Sequence, residues 1–300
     1  MHIELSNIKS AMLPVAMIGG ALFYKWMGYV TFLSPYLIFA MLLITYCKLD
    51  FKDFKPKKEH FLLLGVQMLF SAIVYLSLVW FNHTIAEGVF ICVFIPTATA
   101  APVITSMLGG KISFVATYSL ICNTFVAVTA PLILAFIGDN QGITFIESAI
   151  IICSKVFPLI MGPLVIAMLL KYAMPSLHRK INSHQQLSFY LWAISLFIIV
   201  GSCVSFTINT WDINNLGRVI ALVVGALVVC LLQFIFGRMV GAKFNDKISV
   251  GQSLGQKNTV LAVWLALTYM VPIASIAPAA YIAWQNIVNS WQIMNHNRKS

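Results

Sequence analysis

Ten apolar runs follow one another along the chain, each close to the 20 residues that a helix needs to cross hydrocarbon. They lie at roughly 10–29, 31–47, 61–81, 88–108, 112–137, 145–171, 187–207, 215–237, 248–269 and 272–293. In a bilayer each backbone N–H and C=O must find its partner inside the chain, so runs of this kind fold as helices. The first run begins near Ser10 without a small-residue cleavage signature and reads as a span, not a removable leader. The expected fold class is an all-α membrane protein with ten transmembrane helices.

Charge sets the orientation. Nineteen Lys and Arg against nine Asp and Glu give a formal +10, a balance that in a soluble protein suggests nucleic acid. Here charged residues are only 9% of the chain, and the basic ones sit in the gaps between apolar runs. No nucleic-acid partner is expected. With the N-terminus inside, the inside segments carry Lys9, then Lys48, Lys52, Lys55, Lys57 and Lys58, then Lys111. They continue with Lys171, Arg179 and Lys180, then Arg238, Lys243 and Lys247, and finally Arg298 and Lys299. The outside connections hold only Lys25 and Arg218. Both termini are expected in the cytoplasm, in a membrane of the bacterial inner type. Trp26, Tyr29, Trp80, Trp211 and Trp291 at span ends form the usual interfacial belt.

Ten spans divide into two halves of five, and five is odd, so the second half enters the membrane with the opposite orientation. Two inverted five-helix repeats are expected, over 1–140 and 141–300. Spans four and nine, at matching places in the halves, are both interrupted. Span four contains Pro96-Thr97-Ala98-Thr99-Ala100-Ala101-Pro102, where two prolines remove backbone donors and clash with the preceding turn. A plain kink satisfied by the Thr97 and Thr99 hydroxyls is the simpler alternative. Span nine reads Gly251-Gln252-Ser253-Leu254-Gly255-Gln256-Lys257-Asn258-Thr259 before it turns apolar again. A charge at the bilayer centre costs about 2.5–3.5 kcal/mol even on the lenient insertion scale. Glu87, Glu147 and Asp212 all belong near the outer ends, so no deep acid offers Lys257 a partner. The lysine is expected to face a cavity between broken helices, where half-helix ends favour an anion.

Other chemistry finds no support. Cys47, Cys92, Cys122, Cys153, Cys203 and Cys230 fall inside apolar runs with no CxxC pair and read as buried thiols. The six histidines show no metal-ligand spacing, and paired carboxylates, a phosphate loop and a Ser-His-Asp set are missing. Gly109-Gly110-Lys111 reads as a tight turn at the inner end of span four. Neither an enzyme nor a cofactor is expected.

The segments PTATAAPVITSMLGGK (Pro96 to Lys111) and GQKNTVLAVWLALTYMVPIASIAPAAYIAWQN (Gly255 to Asn286) resemble the bile acid:sodium symporter family. The resemblance implies a panel of spans 1, 2, 6 and 7 and a core of spans 3–5 and 8–10, with helices four and nine crossing in the core. Alternating access would carry an amphipathic carboxylate or sulfonate, coupled to two sodium ions. The chain departs from the family where sodium would bind. Ala101 and Pro102 replace a Ser-Asn pair, Val115 replaces a hydroxyl while Ser119 keeps the next, and Ser253 replaces an acid. Lys257 stands where an uncharged amide is usual at the second sodium site, beside Gln256, and Gln67 in span three keeps another ligand position. The sodium sites are degraded, and the Lys257 ammonium is expected to take the place of the second ion. Transport would then be sodium-independent.

The resemblance places Thr99, Asn258 and Asn286 along the substrate cavity, with Lys257 nearby and Gln285 where a histidine is often found. Lys155 lies eight residues past Glu147, about 12 Å along a helix. It either snorkels outward or gives the anion a second handle. Pro96, Pro102 and Gly255 are the expected break points. The expected function is a secondary carrier of a small organic anion. A related inverted-repeat efflux carrier and a non-transporting anion receptor are the alternatives. The receptor has little to signal with, since the longest inside loop is about 15 residues.

Overall fold

The structure, a computed structural model, describes residues 15–48, 54–98, 101–138, 144–184, 186–209 and 216–297. Among these residues every regular element is a helix. In chain order they are α1 (15–22), α2 (Tyr24–Val30), a 3-10 turn at Thr31–Leu33, α3 (Ser34–Lys48) and α4 (Lys58–Val79). Then come α5 (His83–Phe94), α6 (Ala101–Met107), α7 (Ile112–Ile137), α8 (Phe145–Ala173), α9 (Pro175–Ser183) and α10 (Gln186–Asn209). The last four are α11 (Leu216–Ala242), α12 (Lys247–Gly255), α13 (Thr259–Tyr269) and α14 (Ile276–Asn297), with a 3-10 turn at Pro272–Ser275 before α14.

Among the described residues, five helical stretches are long and apolar enough to cross a bilayer: Tyr24–Lys48, Lys58–Val79, Ile112–Ile137, Phe145–Ala173 and Leu216–Ala242. His83–Phe94 and Thr259–Tyr269 are apolar but too short to span alone. The first two apolar runs meet differently from the sequence expectation. Helical backbone continues from Tyr24 to Lys48 across the 3-10 turn, and the interruption falls at Phe23 instead. Pro35 lies in the first turn of α3, where a proline is tolerated.

The surface is compatible with that of an integral membrane protein. Leu22, Tyr29, Trp80, Phe81, Phe136 and Tyr172 each expose more than 70% of their area, a display that water would not tolerate. Exposure also corrects one expectation about the thiols. Cys47, Cys92, Cys122, Cys203 and Cys230 are buried, but Cys153 on α8 is exposed. An apolar run does not distinguish a lipid-facing position from a core one, since lipid tails are as apolar as leucine.

The chain forms two compact units. One comprises the stretches up to Lys48 and Pro158–Ile213; the other comprises Leu49–Phe157 and the stretch from Asn214 onward. In the first, α10 packs on α2 and α3, and the hydroxyls of Thr31 and Ser202 meet at 2.6 Å. In the second, α11 lies along α12, while α5 is wedged among α4, α11 and α14. Ala86 to Thr97 and Ser249 to Val263 are buried without interruption. The larger unit is thus built around two segments that are themselves too short to cross a membrane.

Candidate functional site

Proline alone does not break a helix in this chain. α7 runs 26 residues through Pro131, and α8 runs 29 residues through Pro158 and Pro163. At Pro96 the outcome differs. α5 stops at Phe94, and Ile95 takes extended geometry (φ −57°, ψ 149°), as a residue before proline prefers. α12 stops at Gly255, with Gln256 extended (φ −92°, ψ 116°). A Cβ on Gly255 would sit 2.4 Å from the Phe234 ring of α11, so only glycine lets the helix end there.

The two breaks satisfy each other. Thr97 and Lys257 form an antiparallel bridge. Around it Ala98 N donates to Gln256 O at 3.0 Å, and Asn258 N donates to Pro96 O at 2.9 Å. Thr97 Oγ1 adds a bond to Ser253 O at 2.7 Å. Groups that would be orphaned in hydrocarbon are paired across the break.

Side chains cap the carbonyls at the helix ends. Gln67 of α4 donates through Nε2 to Phe94 O at 3.0 Å and Ile95 O at 3.1 Å, while its Oε1 accepts from the Tyr118 hydroxyl at 2.7 Å. On the other side Tyr281 donates its hydroxyl to Gly255 O at 2.8 Å and accepts from Gln233 Nε2 at 2.8 Å. α5 begins on Asn82, whose side chain accepts from Ile85 N, and α12 begins on Asp246, which accepts from Ser249 N.

Lys257 is 1% exposed, and its Nζ has no hydrogen-bond partner among the described residues. Its backbone N donates to Gln285 Oε1 at 3.0 Å. Among the described residues, the ionisable groups close enough to act on the amine are the thiols of Cys122 on α7 and Cys92 on α5; no carboxylate is among them. Asn258 caps α13 through Oδ1, which accepts from Leu261 N, and its buried Nδ2 has no partner. Ser253 Oγ is likewise buried and unpartnered. Among the described residues, one buried segment therefore holds two donors and a hydroxyl without partners.

The other expected residues divide. Gln256 lies in the same segment and donates to Gln252 Oε1, and Gln252 donates to Gln292 of α14 at 2.7 Å. Gln67 touches the break, but its amide is occupied by capping. Ser119 is half-buried and accepts from Asn123 Nδ2 through both its carbonyl and its hydroxyl. Asn286 turns its Nδ2 back to Ile282 O at 2.8 Å on its own helix. Lys155 is exposed on α8. Pro102 lies in the first turn of α6, where proline fits without breaking anything. Thr99 lies outside the described residues. Sequence reasoning named Thr97 only as a hydroxyl that could satisfy a kink and did not single out Tyr118, Gln233 or Tyr281. A signal existed for the last two and for Gln67: a lone amide in each of two apolar runs, followed at a similar interval by a tyrosine.

Compared with known protein families and with curated proteins, the chain matches none of them. The likeness to the bile acid:sodium symporters rests on the residues quoted for it.

Proposed function

We propose that the protein is a secondary carrier of a small organic anion, of the bile acid:sodium symporter type, in which the Lys257 ammonium replaces a sodium ion. The observation that carries this reading is the meeting of two helix C-termini, those of α5 and α12, at the bridge that contains Lys257. A helix C-terminus carries roughly half a negative charge. Two of them at one point favour a cation, and Lys257 is the basic side chain that the bridge places there. A carrier that relies on sodium would leave this position neutral.

Burial separates two roles that Lys257 was expected to share. At 1% exposure the amine is enclosed in the crossing and acts as a tethered cation, holding the two ends together. The anion is left to the start of α13, where the positive end of the helix and the free Nδ2 of Asn258 face the same break. In this reading the chain has the panel and core that the family resemblance implies. Transport is a shift of one against the other, in a bacterial inner membrane with both termini cytoplasmic.

Uptake of labelled small carboxylates and sulfonates into proteoliposomes, in sodium and in choline, tests the proposal. The expected result is uptake of one such class at the same rate in both media. A collapse of the rate in choline would refute the cation's role, and failure to move any anion of the panel would count against the carrier itself.

A further inference from the structure

The chain carries the same arrangement twice. Gln67 corresponds to Gln233, Asn82 to Asp246, Thr97 to Lys257, and Tyr118 to Tyr281; the members of each pair stand 160 to 166 residues apart. In each set the order is the same. A glutamine lies on a long helix, a capping side chain starts a short helix, that helix breaks, and a tyrosine follows on the next long helix. In each set the glutamine and tyrosine hydrogen-bond to each other at 2.7–2.8 Å, and one of them holds the carbonyl at the broken end. All eight residues lie in the larger compact unit.

We infer that Gln67–Tyr118 and Gln233–Tyr281 are two copies of one clamp, one in each inverted repeat, and that each positions the C-terminal carbonyls facing the crossing. The inference rests on the inverted-repeat reading above and assigns these four residues a task the sequence did not suggest. A carbonyl at a helix end has no helical partner. In the first copy the glutamine fills that gap directly, on Phe94 and Ile95, and the tyrosine orients the glutamine. In the second copy the order is reversed. Tyr281 bonds Gly255 O directly, and Gln233 orients the tyrosine while its Nε2 also reaches Cys92 O at 3.3 Å. The clamps match in composition and place and differ in which member makes the direct contact.

That difference makes the clamps testable without a substrate, because each has a buried thiol against it. Cys122 Sγ lies 3.6 Å from Gln67 Oε1, and Cys230 lies within hydrogen-bond reach of the Tyr281 hydroxyl. Full-length proteins retaining a single cysteine, Cys122, Cys230 or the exposed Cys153, would be purified and reacted with N-ethylmaleimide. Opening of a buried thiol to reagent reports local loosening.

Gln67→Leu is expected to raise the Cys122 rate about tenfold, the factor that corresponds to about 1.4 kcal/mol. Tyr118→Phe should raise it less than about threefold, a fraction of the cost of a full hydrogen bond. In the second copy the ranking reverses: Tyr281→Phe should raise the Cys230 rate about tenfold and Gln233→Leu much less. The Cys153 rate should stay unchanged throughout. Should Gln67→Leu fail to fold, Gln67→Met keeps the chain length and serves instead, and the mild Tyr281→Phe tests the second copy independently. Equal effects of both members of a pair would overturn the inference, as would a change at Cys153 with none at the neighbouring thiol. Loss of uptake with this pattern intact would count against the carrier reading and leave the clamps standing.

Discussion

Thr97 and Lys257 are paired backbone to backbone in an antiparallel bridge, although 160 residues separate them in the chain. Each belongs to a helix that has just ended, and each supplies what the other end lacks. The bridge lets backbone leave helical geometry within a protein that shows apolar surface to its surroundings, the one circumstance in which such a break is tolerated at membrane depth.

The Thr97 hydroxyl reinforces the bridge through its 2.7 Å bond to Ser253 O. Thr97→Val keeps the shape and removes that donor, and should lower stability by about 1 kcal/mol. Thr97→Ser should behave like wild type. Thermal unfolding of the purified protein in detergent checks both.

Gly255 ends α12 against the Phe234 ring. Gly255→Ala should cost about 1–3 kcal/mol through overpacking. Combining it with Phe234→Leu should recover part of that loss, because the added methyl then has room. A double-mutant cycle on the same melting assay measures the coupling, and strictly additive effects would show that the ring is not the obstacle.

Asp246 caps α12 and also meets Lys111 Nζ at 3.4 Å. Lys111 is 68% exposed, so the ion pair contributes little. Asp246→Asn keeps a capping oxygen and should melt close to wild type. Asp246→Ala loses the cap and should cost about 1 kcal/mol. Two equally damaged variants would assign the residue's weight to its charge.

The breaks were legible in the sequence because their causes are local. Pro96 lacks an N–H and pushes Ile95 out of the helix, and Lys257 is a charge in an otherwise apolar run. The partners were not legible, because they depend on which segments meet. The family resemblance pointed to Thr99, which lies outside the described residues; the pairing of Thr97 with the second break could not be read from the sequence. Gln67 read as an ion ligand, and its amide instead caps the end of α5. Cys153 read as buried because lipid-facing and core residues have the same character in a spanning helix. Four of the five long stretches could be read from composition, whereas the continuity of Tyr24–Lys48 could not, since nothing in the apolar pattern places the interruption at Phe23.

Equilibrium binding of radioactive sodium to the purified protein, compared between wild type and Lys257→Gln, tests the cation's role most directly. Wild type should bind no sodium, and the variant, which places an uncharged amide where the family carries one, should bind about one ion per chain and melt several degrees higher in sodium than in choline. Saturable sodium binding by wild type, left unchanged in Lys257→Gln, would contradict the account.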